Sequence, residues 1–295
     1  MPAAVPHYVG RFAPSPTGRL HLGSLVAALG SALEAHRHGG EWLLRMDDLD
    51  AARVVAGASD DILRTLERLG FAWQRPVVYQ RTRIARYREA ARQLAERGTL
   101  YRCSCSRAVR EATPDRPAYP GTCRGGPTRS GPTAVRFRID ESATESFVDR
   151  VQGECALPLE RLGDVVIQRR DGVFAYQLAV VVDDHDQGVT DVVRGADLLE
   201  SSGWQRALQR ALGLPGVSYA HLPMVLERDG RKLAKSRHSL PVDALEDSAA
   251  LVQALELLGQ SPPRALANER VAAVWDWATR HWSIASLAGR RETRI

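Results

Sequence analysis

The chain opens with a short apolar run over residues 8 to 12, the length of a buried strand, and then turns through Arg11-Phe-Ala-Pro-Ser-Pro-Thr-Gly18. The period changes at Ser24. From there to His38, Leu25, Leu29 and Leu33 share one face, as in a helix, and Gly39-Gly40 stops it. Trp42–Met46 is a compact apolar strand that ends at Asp47-Asp48-Leu49-Asp50. Ser59-Asp60-Asp61 is the expected cap of a helix whose Ile62, Leu63, Leu66 and Leu69 face inward and whose end is Gly70. A further helix is expected over Arg83–Arg97, before Gly98. Strand and helix in alternation predict an α/β fold, a Rossmann-like doubly wound parallel sheet whose ligands sit at the carboxyl ends of the strands.

The pattern breaks at Leu100-Tyr101. From there to Gly172 come cysteines, many Pro and Gly residues, and short strand-like runs at Ala134–Ile139 and Val165–Ile167, which together read as an insertion. Apolar alternation returns at Phe174–Val182, read as a strand whose end is braced by Asp183, Asp184 and Asp186. A helix is expected from Leu198 to Leu212, ending near Gly213. Val225-Leu226 and Lys232-Leu233 flank Asp229-Gly230, a hairpin turn signal that places Lys235 in the loop just beyond. The last stretch reads as helical, with Trp275, Trp277 and Trp282 packing. The expected division is a first catalytic half over 1–100, a zinc-binding insertion over 101–172, a second catalytic half over 173–222, and a loop with a short helical region over 223–295.

At 295 residues the chain can bury a full core. No apolar run approaches the roughly 20 residues of a membrane span, and the first residues lack a signal peptide's apolar stretch, so a cytoplasmic protein with no membrane partner is expected. A net charge of +5 suits a polyanionic partner without identifying one. Of the four cysteines, Cys103, Cys105 and Cys123 lie close together, which in a reducing compartment fits a metal site better than a disulfide framework. Zinc binds such thiolates tetrahedrally and needs a fourth donor, for which Cys155 is a candidate by its chemistry.

Two segments carry the remaining chemistry. The Pro/Gly turn leads into His21-Leu-Gly-Ser24, which presents an imidazole at a helix start. Backbone and ring N–H groups there are both donors for a phosphate that gains charge in an in-line displacement. Near the other end of the chain, Lys232-Leu-Ala-Lys235-Ser236 sets two lysines three apart, a mobile positive charge for the same phosphates. Alone, the first is a structural turn histidine and the second a solvated surface.

In this order the two segments resemble the HIGH and KMSKS signatures of class I aminoacyl-tRNA synthetases. The resemblance implies that His21 and Lys235 stabilise the transition state as pyrophosphate leaves, with Lys232 assisting. It also places Gly23 and Ser24 in the ATP site and implies Mg²⁺ with the ATP. The strings Arg11 to Ser15, Leu44-Arg-Met-Asp47-Asp-Leu-Asp50, Tyr176 to His185 and Val193-Arg194-Gly195 resemble the glutamyl-type members. By that resemblance Arg11 and Arg194 address carboxylates and Ser15 adds a hydrogen bond. Phe12, Ala13, Pro14 and Tyr176 line the amino-acid pocket, and Asp47 holds the α-ammonium. The chemistry is consistent, because a planar guanidinium pairs bidentately with a carboxylate. The family commonly has Glu at Asp47, and Met and Ser where Leu233 and Ala234 stand.

Cys103-Ser-Cys105 followed by Tyr119-Pro-Gly-Thr-Cys123 extends the resemblance. It implies one structural Zn²⁺ held by Cys103, Cys105, Tyr119 and Cys123, with the Tyr119 oxygen in place of Cys155. Glutamyl-tRNA synthetases read the anticodon through a helical domain placed after the KMSKS loop, and Ile295 follows Ser236 too soon for one. The motif set resembles a short bacterial branch of the family that activates glutamate with ATP and transfers it to the queuosine base at the wobble position of tRNA(Asp). The expected partners are then glutamate, ATP and queuosine-bearing tRNA(Asp), for a monomer. The competing readings are a minimal glutamyl-tRNA synthetase charging a tRNA 3′ end, another adenylate-forming ligase, and a non-catalytic tRNA-binding module.

Overall fold

The protein is represented by a computed structural model that describes residues 7–105, 119–140, 142–227 and 242–294. Its first part runs β1 (Val9–Phe12), α1 (Leu22–Arg37), β2 (Glu41–Met46), α2 (Ala58–Arg68), β3 (Val78–Tyr79) and α3 (Ile84–Glu96). Next come β4 (Leu100–Cys103), β5 (Ala134–Phe137), β6 (Thr144–Asp149), β7 (Gly153–Pro158), a one-turn α4 (Leu159–Leu162) and β8 (Val165–Gln168). The remainder is α5 (Tyr176–Asp186), β9 (Asp191–Gly195), α6 (Ser201–Leu212), β10 (Ser218–Leu222), β11 (Met224–Leu226), α7 (Asp247–Leu257), α8 (Val271–His281) and β12 (Glu292–Arg294).

The parallel pairing β1-β2-β3 forms one sheet, with Val9 opposite Glu41 and Phe12 opposite Leu44. A second sheet has the order β9-β10-β6-β7, parallel except for the β6–β7 hairpin. The two meet where β1 flanks β9: the Thr190 N–H donates to the Val9 carbonyl at 3.0 Å, and the Thr190 hydroxyl accepts from the Val9 N–H at 2.9 Å. Strand order therefore reverses between β1 and β9, the position at which doubly wound sheets open a crevice for ligands. Gly40 permits the tight return into β2, since any Cβ there would meet the Tyr8 carbonyl oxygen at 2.2 Å.

The main core forms between this sheet, α1 and the C-terminal helices. Leu25, Leu29 and Leu33 of α1 are buried together with Leu251, Leu255, Val274 and Trp282. Each such side chain contributes about 1.5–3 kcal/mol on burial. Glu34, buried on α1, accepts from Arg150 and from the Trp282 indole N–H, both at 2.7 Å, and so ties the C-terminal region to the first crossover. Trp275 meets Phe71 edge-on and donates to the Leu69 carbonyl at 2.8 Å. Trp277 stacks on His281.

Several elements differ from expectation, each for a physical reason. Phe174–Val182 is not a strand: it enters helix α5, in which Leu178 to Asp184 are buried. A helix enclosed on every side has no polar face to mark its period, so it reads like a buried strand. The α2 helix starts at Ala58 after Gly57, which adopts φ 77°, and has no side-chain cap; Asp60 and Asp61 instead face the positive end of its dipole. β11 pairs in parallel with β12, a strand within the tail expected to be helical. The expected hairpin turn, with Asp229, Gly230, Lys232 and Lys235, lies outside the described residues.

Within 101–172 the chain does two things. Strands β4-β5-β8 form a small separate sheet, whose Phe137 and Ile167 share a core with Tyr87, Leu94 and Leu178 of α3 and α5. The β6–β7 hairpin instead extends the second sheet by pairing with β10. No helix among the described residues is long and apolar enough to cross a membrane.

Candidate active site

A pocket of about 510 Å³ opens at the carboxyl ends of β1, β9 and β10. Arg11, Phe12, Ala13, Pro14, Ser15, His21, Gly23, Ser24, Tyr176 and Arg194 all line it. Gly18, with φ 145°, lets the turn after β1 fold back along its rim. The chain then enters α1 with His21 as N-cap. The His21 Nδ1 accepts from the Ser24 N–H at 3.2 Å, and its Nε2 lies 2.9 Å from the Ser24 hydroxyl. His21, Gly23 and Ser24 all line the pocket, so the imidazole and the first turn of the helix border one space. Tyr176 stands at the first turn of α5 on the opposite wall.

Behind the wall lies a buried ionic network. Asp184 of α5 takes the Arg11 Nε at 3.2 Å and the Arg45 Nη1 at 2.6 Å, and Arg45 Nε donates to Asp47 at 2.9 Å. Asp183 accepts from Gln80 and from the Tyr87 hydroxyl, at 2.8 and 2.7 Å. Burial works against the Asp184 carboxylate, but Arg11 and Arg45 outweigh it and hold it below the usual range. For Asp47 burial prevails over Arg45, and its pKa is pushed up to about 6. Asp47 is not brought into the pocket with the other expected glutamate ligands. Its carboxylate turns to Arg45, while its backbone N–H donates to the carbonyl of Pro14, a lining residue, at 3.0 Å. Asp183, Asp184 and Asp186 lie on a helix and pair with arginines, in place of the expected bracing of a strand end.

Arg194 ends β9 in the pocket and is 5 % exposed. Its Nε donates to His221 Nε2 at 3.1 Å, and its Nη2 donates to the Ser202 hydroxyl at 2.8 Å and the Leu198 carbonyl at 3.3 Å. Its Nη1 is buried with no partner among the described residues. A buried guanidinium nitrogen left unpaired is costly, and a ligand carboxylate would satisfy it. Sequence reasoning missed Arg45, Asp149, Ser202 and His221, which hold the recognised residues. Only Arg45, inside a recognised string, carried a local signal.

The cysteine cluster is formed by Cys103 at the end of β4, Cys105 just beyond it, and the 119–123 segment. The Sγ atoms of Cys103, Cys105 and Cys123 lie within 4.8 Å of one another. The Tyr119 hydroxyl is 3.3 Å from Cys103 Sγ and 3.5 Å from Cys105 Sγ, and the Arg136 guanidinium covers its ring at 3.7 Å. Cys155 is elsewhere, on β7 of the second sheet. Burial raises the Cys123 thiol, but bonds from the Tyr119 hydroxyl and the Ser104 and Thr128 backbones outweigh it and bring its pKa down to about 5. Burial and the neighbouring sulfurs push the Tyr119 phenol far up, so its oxygen becomes a ligand only where a metal displaces the proton. Three soft donors and one oxygen converging on a point fit a closed tetrahedral zinc site.

The pocket at the switch point brings the histidine-capped helix and the two arginines together, as the resemblance to class I tRNA synthetases leads one to expect. The chain belongs to that family: the class I tRNA synthetase (E and Q) catalytic domain matches residues 8–272. Among its relatives, the glutamyl-Q tRNA(Asp) synthetase of Dechloromonas aromatica is 52% identical over 284 residues, covering 94% of each chain. That of Aromatoleum aromaticum is 49% identical, covering 96% of this chain and 91% of the relative. In fold, the chain matches a glutamate tRNA ligase from Elizabethkingia meningosepticum, crystallised with its amino acid, with a TM-score of 0.80 at 24% identity. That match covers 97% of this chain and 66% of the ligase.

Proposed function

We propose that this protein activates glutamate with ATP and transfers it to the queuosine base at the wobble position of tRNA(Asp). The single observation that carries the reading is Arg194, buried in the pocket with Nη1 unpaired among the described residues and its other nitrogens on an imidazole, a hydroxyl and a carbonyl. Arg194 and Arg11 take the carboxylates of glutamate, Ser15 adds a hydrogen bond, and Tyr176 closes the side. The α-ammonium falls to Asp47, through a water or a shift of its side chain off Arg45.

The substrate α-carboxylate attacks the α-phosphorus of Mg²⁺-bound ATP. A P–O bond forms as the bond to the bridging oxygen breaks, and pyrophosphate leaves with the electron pair. His21, the start of α1 and Lys235 stabilise the charge that develops, with Lys232 assisting. A hydroxyl of the queuosine cyclopentenediol then attacks the mixed anhydride, giving an ester and AMP. No protein nucleophile is needed, because the anhydride already carries the activation, and the protein supplies positioning and electrostatics. Cys103, Cys105, Tyr119 and Cys123 would hold a structural Zn²⁺ that ties the 119–123 segment to the end of β4.

Amino-acid-dependent exchange of labelled pyrophosphate into ATP tests the activation step. Exchange with glutamate and none with glutamine or aspartate is expected. Equal exchange with glutamine would overturn the carboxylate role of the arginines.

A further inference from the structure

Arg194 differs from Arg11 and Arg45 in what surrounds it. Arg11 and Arg45 are held by carboxylates. The hydrogen-bond partners of Arg194 are an imidazole, a hydroxyl and a carbonyl, and the Tyr219 ring lies 5.3 Å beneath it. Arg194 and His221 are register partners across the parallel β9–β10 pair, so one side chain lies against the other. For His221 Nε2 to accept from the Arg194 N–H, the ring proton must be on Nδ1. Nδ1 faces the Asp149 carboxylate at 2.6 Å. Asp149 is fixed in turn, its Oδ1 accepting from the Val151 and Gln152 N–H groups at 2.9 Å. Burial pushes the imidazole pKa down, with Arg194 adding to it against the pull of Asp149, which favours the neutral ring.

We propose that Asp149 and His221 are positioning residues for amino-acid recognition: Asp149 locks His221 in its Nδ1–H tautomer, and the bare Nε2 orients Arg194 while leaving its positive charge free for the substrate carboxylate. A carboxylate in the place of His221 would orient the guanidinium equally well but would cancel the charge that the substrate needs. Asp149 supplies the anchoring one imidazole further away. This inference rests on Arg194 being a glutamate ligand.

Asp149→Asn tests it with little change of shape. The amide oxygen takes over the backbone N–H groups, which leaves the amide NH₂ to donate to Nδ1. The ring proton then moves to Nε2, against the Arg194 N–H. In ¹⁵N NMR of histidine-labelled protein, His221 should change from the Nδ1–H to the Nε2–H form. In pyrophosphate exchange the glutamate KM should rise about ten- to hundredfold, the worth of one charge-assisted hydrogen bond. The ATP KM and kcat should stay close to wild type. His221→Gln, which offers an amide oxygen as acceptor, should keep more glutamate affinity than His221→Leu. A tautomer change with unaltered glutamate KM would overturn the proposal, as would an Nε2–H imidazole in the wild type. The wild-type spectrum and the His221 pair decide the matter even where Asp149→Asn does not fold. Arg194→Ala separates the two levels: if it leaves the glutamate KM unchanged, the ligand reading itself fails.

Discussion

Asp184→Asn is the perturbation whose size follows most directly from the network behind the pocket. Asp184 faces two guanidinium groups, of Arg11 and Arg45, whose side chains are 4% and 0% exposed. The substitution keeps the volume and one acceptor oxygen but removes the charge between them. Asp47 and Asp183 are then the remaining anions near Arg45, the latter 3.8 Å away. Removing one partner of a buried pair costs about 3–5 kcal/mol, and the retained hydrogen bond returns roughly 1 kcal/mol of that. A loss of about 2–4 kcal/mol is expected, or roughly 3–6 °C in Tm for a chain of this size. The pH dependence has a definite sign. The folded Asp184 pKa lies below its unfolded value of about 3.9, so its stabilisation is complete above that value and fades as pH falls through the folded pKa. The gap between wild type and variant should therefore be flat from about pH 5 to 8 and close in stronger acid. Urea unfolding followed by tryptophan fluorescence at each pH measures it. The glutamate KM should rise as well, since Arg11 loses its brace. A variant as stable as wild type at neutral pH would refute the view that this carboxylate holds the two arginines.

Three further outcomes are expected. His21→Ala should lower kcat for pyrophosphate exchange by about 10²–10³ with little change in glutamate KM, as for the loss of one transition-state donor; a pure KM effect would argue against that role. With the Asp47 pKa near 6, the wild-type glutamate KM should climb as pH falls through about 6, because the protonated acid no longer attracts an ammonium. Asp47→Asn should start from a high KM and show no such step, and a parallel step in both would remove Asp47 from ammonium binding. Cys123→Ser should abolish the binding of one zinc per chain, measured by elemental analysis, and should lower the Tm while leaving exchange measurable at low temperature; loss of chemistry at unchanged Tm would contradict a structural ion.

What could be read from the sequence follows from how local each feature is. β1, α1 and β2 announce themselves because each has one boundary residue and one period, as in the leucines of α1 and the glycines after it. The α5 helix does not, since Leu178 to Asp184 are buried and no polar face marks the 3.6-residue period. β12 is Glu-Thr-Arg, too polar and too short to be recognised without its partner β11. The pocket was legible because residues that line it come in short strings, Arg11 to Ser15, His21 to Ser24, and Val193 to Gly195. The residues that hold those ligands were not, because Asp149 and His221 meet only when β6 packs beside β10, across 72 positions of sequence. For the cysteine cluster, spacing alone leaves Cys155 open as a fourth donor and the resemblance favours Tyr119; the structure sets the Tyr119 hydroxyl beside the sulfurs and Cys155 on a different sheet.

The acceptor is tested most directly with purified protein, ATP, Mg²⁺ and labelled glutamate, offered with one tRNA pool that contains queuosine and one that lacks it. Label confined to the queuosine-containing pool, and surviving removal of the 3′ adenosine, is expected for transfer to the wobble base. Equal labelling of both pools, lost with the 3′ adenosine, would contradict it and make the protein a minimal glutamyl-tRNA synthetase.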